Sequence, residues 1–214
     1  MAEPPTIRNL LPGRLSAGVI VYRGVSPRPA PSLPAHIAGQ LERIRRSHAA
    51  TPPPGFDFSR RLYRAFGIDP TKQRPSAEAL WRRLRGHGDF PAVHPLVDLT
   101  NLLSLTHQVC YGLYDLERIH GPVTATLGEA GDRYPGIRKD VLDLSGRIVL
   151  RDDRGAFGNP SADSLRACVD EASRDILQVL FFHPEDPRQQ AVLAATLAAF
   201  HEFFTMTENR SFII

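Results

Sequence analysis

The chain has 214 residues, of which 42% are hydrophobic and 23% charged, and its formal net charge is +3. This composition is ordinary for a globular protein, and no apolar run approaches the roughly 20 residues that a membrane-spanning helix needs. Two cysteines are too few for a disulfide framework, and the first 15 residues, with Glu3 and three prolines, lack the apolar stretch of a signal peptide. We therefore expect a cytoplasmic protein.

The charge is unevenly distributed along the chain. Residues 1–90 carry 15 lysines and arginines against 6 acidic residues, whereas residues 91–214 carry 11 against 17. Arginine supplies nearly all of the positive charge, since Lys72 and Lys139 are the only lysines. A basic half beside an acidic half indicates a polyanionic partner for the first half, or equally a set of solvated helix faces without one.

The first part of the chain predicts one strand followed by short helices. Leu15–Val25 is rich in β-branched residues and is bounded by Gly and Pro, which predicts a strand. Apolar residues with helical spacing predict a helix over Pro34–Ala49. A second helix begins near Ser59 and ends at Gly67, and a third is capped by Ser76.

The pattern changes after a further predicted helix over Pro95–Gln108. Short runs that resemble strands then alternate with turns rich in Gly and Asp. The predicted strands lie within Pro122–Gly128, Arg147–Asp153, Leu165–Val169 and Asp175–His183, and a C-terminal helix covers Pro187–Met206. Helices first, then strands, then a helix indicate an α+β fold.

The apolar helix at Pro95–Gln108 contains a polar cluster of Asp98, Thr100 and Asn101, residues that compete for backbone hydrogen bonds in a helix interior. His107 and Cys110 follow it. With Asp115 they have the residue types of a thiol nucleophile site, but their spacing is not typical of one. A buried, unreactive thiol is the stronger interpretation of Cys110.

Other candidate sites have little support in the pattern. His87 and His94 have no cysteine or carboxylate at ligand spacing, so we predict no metal. No phosphate-binding loop occurs, and we predict no cofactor. The segment Gly158–Ser164 reads as a turn built on Asn and Ser side chains.

Six segments occur in an order and spacing that resemble a known family. They are Tyr63–Leu84, Phe90–Leu105, Gly112–Gly121, Arg151–Gly158, Asn159–Arg166 and Asp170–Phe182. Together they resemble the B3/B4 domain, the aminoacyl-tRNA editing module of the phenylalanyl-tRNA synthetase beta chain, and more closely its free-standing single-domain relatives. The resemblance implies an α+β fold with mixed or antiparallel strands in a barrel-like sheet packed with helices.

The resemblance also predicts the domain organisation. We expect residues 1–214 to form a single B3/B4-like domain. Its best-matching core is 63–183, preceded by a strand and helix extension at 1–62 and followed by a C-terminal helix at 187–206. Nothing resembles a synthetase catalytic core, so we do not expect this chain to charge tRNA.

The function that the resemblance implies is tRNA binding with trans-editing, that is, hydrolysis of the amino acid from mischarged tRNA in translation quality control. The expected partner is the acceptor end of aminoacyl-tRNA, with no DNA and no membrane. Two alternatives remain: a non-catalytic tRNA- or RNA-binding module, and an amino-acid-binding protein that uses the former editing pocket.

The resemblance transfers to individual residues with two departures. Gly112 stands where the synthetase module has its pocket histidine, and Ser164, next to Asp163, stands where it has a glutamate. Candidate catalytic residues are His107, Asp163 and Ser164, with backbone N–H groups of the Gly158–Asp163 turn stabilising the oxyanion. The predicted pocket residues are Asn101, Gly112, Asp115, Gly158, Asn159 and Arg166.

Arginines on the two helices before the pocket are the expected tRNA contacts, because phosphate contacts give affinity without reading sequence. They are Arg60, Arg61, Arg64, Arg82, Arg83 and Arg85. Arg166 could touch a terminal phosphate or pair with an acidic residue. Trp81 could stack on an unpaired base, although its helix position is more typical of a core residue.

Overall fold

A computed structural model describes residues 5–29, 31–47, 56–87, 90, 92–137 and 141–214. Its helices are α1 (Leu33–Ser47), α2 (Phe56–Ala65), α3 (Ser76–His87), α4 (Pro95–His107) and α5 (Gln189–Phe203), with a 3₁₀ turn at Leu116–Arg118. The first strands are β1 (Ile7–Asn9), β2 (Ser16–Arg23), β3 (Ser26–Pro27), β4 (Cys110–Asp115), β5 (Val123–Leu127) and β6 (Arg133–Pro135). The others are β7 (Val141–Asp143), β8 (Ile148–Asp152), β9 (Gly155–Gly158), β10 (Ile176–Phe182), β11 (Phe204–Thr205) and β12 (Glu208–Ile213).

Two four-stranded sheets organise the fold. The central sheet has the order β12–β2–β10–β4 and is antiparallel throughout, and the second sheet has the order β1–β5–β8–β9 with only β1 and β5 parallel. The pairs β3–β11 and β6–β7 are small additions. The predicted α+β class with mixed and antiparallel strands is confirmed. The barrel-like closure is not, because within the described residues β12 and β4 end the central sheet at separate edges.

Both faces of the central sheet are covered. Val19 and Val179 face the second sheet in one apolar cluster, whereas Ile20 and Leu180 face α4 and α5 in another. Because both faces are buried, β2 and β10 are apolar at almost every position instead of alternating with polar residues. The sheet therefore separates two sides of the protein, one formed with strands and one formed with helices.

A third apolar cluster joins α1, α2, α3 and α4. Trp81 lies in it and is only 3% exposed, so this side chain is a core residue and not a stacking platform for a base. Nowhere in the ranges given above is a helix long and apolar enough to cross a membrane.

The predicted elements differ from the structure at several places. The α2, α3 and α4 helices lie close to the predicted positions, whereas residues 48–49 of the predicted first helix lie outside the described residues. The strand predicted at Leu165–Val169 is wrong, because that segment is a loop with one bridge from Cys168 to Tyr114. The C-terminal helix ends at Phe203, and the chain continues into β12, which pairs with β2.

Two members of the polar cluster in α4, Asp98 and Thr100, have structural hydrogen bonds. Thr100 is buried and its hydroxyl oxygen accepts a hydrogen bond from Gln178 Nε2 at 3.0 Å, while Gln178 Oε1 accepts one from the Tyr22 hydroxyl at 2.9 Å. Asp98 Oδ1 accepts from the backbone N–H of Val93 at 2.9 Å, before the helix begins. These partners explain how polar residues are accommodated on a mostly buried helix.

We expect Thr100→Val to destabilise the protein by about 1–3 kcal/mol, because the buried Gln178 amide would lose its acceptor. The measurement is the free energy of unfolding in urea. Thr106→Val is the matched control on the same helix, since Thr106 is exposed and its hydroxyl donates to the Leu102 carbonyl within the helix. Equal losses in the two variants would contradict this role for Thr100.

Candidate functional site

The site loop, defined here as residues 158–164, connects β9 to the segment before β10 and is held by its own side chains. Asn159 Oδ1 accepts hydrogen bonds from the backbone N–H groups of Ser161 at 2.6 Å and Ala162 at 3.0 Å. The Ser161 hydroxyl is also hydrogen-bonded to the Tyr63 hydroxyl of α2 at 2.6 Å. The loop is therefore the Asn-based turn that its residues predict, fastened to a helix.

A tyrosine and an aspartate meet beneath this loop. The Tyr114 side chain is fully buried, and its hydroxyl donates a 2.6 Å hydrogen bond to Asp163 Oδ1. A Cβ atom on Gly112 would lie 2.7 Å from one edge of the Tyr114 ring, and one on Gly158 would lie 2.7 Å from the other edge. The ring of Phe157 packs edge-on at a centroid distance of 5.0 Å. The two glycines thus make the space that the phenol fills.

The environment of Asp163 changes its acidity. Desolvation raises the pKa of Asp163 to about 7, even though the Tyr114 hydroxyl and the backbone N–H groups of Leu113 and Asn159 hydrogen-bond to the carboxylate and favour the charged form. Asp163 itself is half-buried, so one part of the residue remains at the surface. A carboxyl group that titrates near neutral pH can accept or donate a proton during a reaction.

The predicted catalytic serine lies next to Asp163, but its backbone N–H and its hydroxyl are both hydrogen-bonded within the protein. Ser164 is fully buried, its backbone N–H donates to the Phe157 carbonyl at 3.0 Å, and its hydroxyl oxygen accepts from the Ala167 N–H at 3.4 Å. These contacts fix the end of the site loop.

His107 lies elsewhere. It ends α4, which packs on the helix side of the central sheet, whereas Tyr114 points to the strand side. Burial, with the nearby Arg188 guanidinium, lowers the pKa of His107 to about 4, so the imidazole is neutral at pH 7. Arg188 also donates to the His107 carbonyl at 3.2 Å. The structure does not bring His107 to Asp163.

The predicted pocket residues are only partly assembled. Gly112, Gly158 and Asn159 surround the Tyr114–Asp163 pair, but Asp115 caps the 3₁₀ turn and accepts from the Ser173 hydroxyl at 2.6 Å. Asn101 is half-buried on α4, on the other side of the sheet.

Arg166 is engaged within the protein. Its guanidinium makes two hydrogen bonds to the Asp152 carboxylate, at 2.9 and 3.0 Å, and donates to the carbonyls of Arg118 and Gly155. Of the two alternatives open from sequence, the structure places Arg166 in the pair with an acidic residue.

Cys110 is fully buried, and desolvation raises the pKa of its thiol, which disfavours a reactive thiolate. His94 caps α4, where its Nδ1 accepts from the Leu96 N–H, and the His87 side chain lies outside the described residues. Over the described part of the chain, no group of three or more His, Cys, Asp or Glu side chains could hold a metal ion.

The six predicted tRNA-binding arginines fall into two groups. Arg60 makes a bidentate ion pair with Glu78 at 2.7 and 2.8 Å, and Arg61 pairs with Glu185. The remaining four are exposed and make no ion pair with any described residue; they are Arg64, Arg82, Arg83 and Arg85. We call these four the free arginines.

Sequence reasoning missed Tyr114 and one donor in the loop. Tyr114 is 49 residues from Asp163, so no local pattern reveals their hydrogen bond. Asn159 Nδ2 is buried and has no hydrogen-bond partner in the described part of the chain. The N–H groups of Ser161 and Ala162 both donate to one end of the Asn159 amide, which must therefore be the oxygen. The other end is the unpaired nitrogen.

Two cavities lie away from the site loop. One of about 650 Å³ is bordered by α1, the start of α4 and the side chains of Phe203 and Phe204. Another of about 530 Å³ lies beside Arg8, Arg23 and the 3₁₀ turn. Neither has a residue of the site loop in its lining.

Comparison with known proteins identifies one family. The B3/4 domain family matches residues 59–196. Among solved structures, an N-terminal fragment of the phenylalanyl-tRNA synthetase beta-subunit from Pyrococcus horikoshii superposes with a TM-score of 0.46 at 11% identity, over 97% of this chain and 55% of that chain. The present chain thus spans about half the length of that fragment. No curated protein matches the sequence.

We expect the Asp163 carboxyl to make stability depend on pH in a particular direction. Its pKa is about 7 in the folded protein against 3.8 in the unfolded chain, so the folded state binds more protons between these values. The stability contributed by this group is therefore present below pH 4 and is lost as the pH rises to 7.

The corresponding measurement is the melting temperature of the wild type and Asp163→Asn at pH 4, 5.5 and 7. The variant should gain stability relative to the wild type as the pH rises, because it lacks the ionising group. Asp153→Asn is the control, since Asp153 is exposed. Parallel pH profiles for wild type and Asp163→Asn would show that Asp163 has an ordinary pKa.

Proposed function

Because the chain belongs to the B3/4 domain family, we propose that it binds the acceptor end of aminoacyl-tRNA and hydrolyses a mischarged amino acid from it. In this proposal residues 1–214 act as one domain in the cytoplasm. The substrate ester reaches the site loop, and the tRNA backbone lies along α2 and α3.

The observation that carries the proposal is that both arginine-bearing helices are fastened to the site loop. The backbone N–H of Ser76, at the start of α3, donates to the Pro160 carbonyl at 3.3 Å, and Tyr63 of α2 is hydrogen-bonded to Ser161. Phosphates held by these helices would therefore lie at a fixed position relative to Asp163. Fixed positioning of an ester next to a proton-accepting group is what its hydrolysis requires.

The free arginines support the binding step. An arginine without an internal ion pair can contact a phosphate and release a counterion, which gives affinity that falls with salt. Three of the four free arginines lie on α3, and the fourth lies on α2. Arg60 and Arg61 would first have to leave Glu78 and Glu185, so we assign them a smaller role.

The chemistry proposed for the site uses Asp163 as the general base. Water attacks the ester carbonyl while the Asp163 carboxylate takes one of its protons. The bond from the carbonyl carbon to the ribose oxygen then breaks, and that oxygen takes the proton, which releases the free amino acid and the tRNA hydroxyl. A pKa near 7 suits this exchange.

Stabilisation of the oxyanion needs a donor that is not already engaged. The N–H groups of Ser161 and Ala162 are bonded to Asn159 Oδ1, so they are poor candidates. Asn159 Nδ2 is the unpaired donor beside Asp163, and we assign the oxyanion contact to it. In this scheme Ser164 and His107 stabilise the fold and do not take part in the reaction.

A non-catalytic tRNA-binding module is the second candidate. It is favoured by the enclosure of the site, because Asn159 is only 2% exposed and Tyr114 fills the space above Gly112. In that case the free arginines would bind tRNA, and the loop would recognise its end without turnover.

We expect Arg82→Glu with Arg83→Glu to weaken tRNA binding at least about tenfold and to reduce the slope of log Kd against log salt by about 2, because two phosphate contacts are lost. Fluorescence anisotropy between 50 and 300 mM salt measures both quantities. Arg8→Glu with Arg210→Glu makes the same charge change on β1 and β12 and should leave the slope unchanged. Equal effects of the two pairs would argue against an arginine surface on α3.

We expect the wild type to release the amino acid from at least one mischarged tRNA in single-turnover deacylation, with enzyme in excess. Asp163→Asn should lower that rate about 100-fold, because it removes the base, whereas Asp153→Asn should not. The wild-type rate should rise with pH up to about 7 and then level off, since the carboxylate form is the active one. If no tRNA in the panel is deacylated, the non-catalytic candidate replaces the hydrolase.

A further inference from the structure

Tyr114 lies beneath the site loop, and the function proposed above gives it no role. It is fully buried, and among the described residues its hydroxyl donates a hydrogen bond to Asp163. The phenol therefore lies directly beneath the group to which we assign proton transfer. Its position decides how much space a substrate has around Asp163.

The space on either side of the phenol is already used. The ring edges are in contact distance of the backbones of Gly112 and Gly158, where even a methyl group would overlap the ring or its hydroxyl. The Phe157 ring packs edge-on against the phenol and blocks a third side of it. A close-packed interior of this kind has no room for a second aromatic ring unless Tyr114 moves.

The polar rim above the phenol is more open. Ser161, Ala162 and Asp163 are each half-buried, so a ligand can reach this part of the loop from solvent. A ligand bound there contacts Asp163, and Tyr114 forms the floor of the site beneath it. The space below the Asp163 carboxyl is already filled by the phenol.

We propose that Tyr114 is the specificity-determining residue of this site and restricts the aminoacyl group to a small side chain, of the size of glycine, alanine or serine. The chemical class of the ligand rests on the proposed function. The size restriction itself rests on the packing of Tyr114 between two glycines. Aromatic aminoacyl groups are excluded because their rings would need the volume that the phenol occupies.

The test measures binding without turnover, using two non-hydrolysable probes, the alanyl and phenylalanyl amides of 3′-amino-3′-deoxyadenosine. Isothermal calorimetry gives the Kd of each. The wild type should bind the alanyl probe at least about tenfold more tightly than the phenylalanyl probe, in line with the selectivity that pocket size provides. Tyr114→Ala should reverse this preference, because removal of the phenol leaves a space large enough for the phenyl ring of the second probe.

Three further variants make the result specific. Tyr114→Phe keeps the ring and should keep the wild-type preference. Tyr114→Leu opens only part of the space and should give an intermediate preference, which also covers the case in which Tyr114→Ala does not fold. Tyr111→Ala is the matched control, since Tyr111 is a buried tyrosine on the same strand that faces the helices and is hydrogen-bonded to Thr196 at 2.7 Å.

The outcomes separate this proposal from the hydrolase. Equal affinity of the wild type for both probes, or a wild-type preference retained in both Tyr114→Leu and Tyr114→Ala, would overturn the role of Tyr114 alone. No binding of either probe would overturn it together with the proposed aminoacyl site. A preference for the alanyl probe that Tyr114→Ala reverses would support it even if no tRNA is deacylated. In that last case only the catalytic part of the proposed function fails.

Discussion

The burial of β2 and β10 on both faces is the constraint on which the rest of the structure depends. Both strands are buried at almost every position, so strands must cover one side of the central sheet and helices the other. β4 pairs with β10 at the edge of this sheet, and its side chains therefore alternate between the two sides. Tyr114 faces the strands, and Tyr111 and Leu113 face the helices.

This alternation explains why the predicted catalytic residues separate. His107 belongs to the helix side, where burial and Arg188 keep its imidazole neutral. Asp163 belongs to the strand side, where its carboxyl is hydrogen-bonded to Tyr114. Residues that are close in the sequence of α4 and β4 thus lie on different sides of one sheet. The strand side combines the Asp163 carboxyl with an unpaired donor, Asn159 Nδ2.

Much of the fold could be predicted from local patterns, and the site only in part. Periodicity and caps locate α2, α3 and α4, and the residues of the site loop predict its turn correctly. β12 (ENRSFI) is mostly polar, and it is a strand because β2 offers it an edge. Likewise β4 contains no β-branched residue and is held by β10. Such pairing is a tertiary effect that no window of sequence contains.

The contacts that define the site are long-range, which is why sequence could not supply them. Tyr114 and Asp163 are 49 residues apart, and Arg166 pairs with Asp152 at the end of β8, 14 residues away. The family resemblance directed attention to residues 158–164, and these residues lie within the family match over residues 59–196. It could not reveal that a tyrosine fills the space beside Gly112, since the glycine alone gives no indication of its neighbour.

The central claim is that the aminoacyl end binds at the site loop above Tyr114, and an amide chemical-shift titration with the alanyl amide of 3′-amino-3′-deoxyadenosine tests it most directly. We predict saturable shifts of the amides of residues 159–164 and of Leu113, with little change on α5. Shifts confined to residues around the cavity between α1 and Phe203, or no saturable shifts, would contradict the claim.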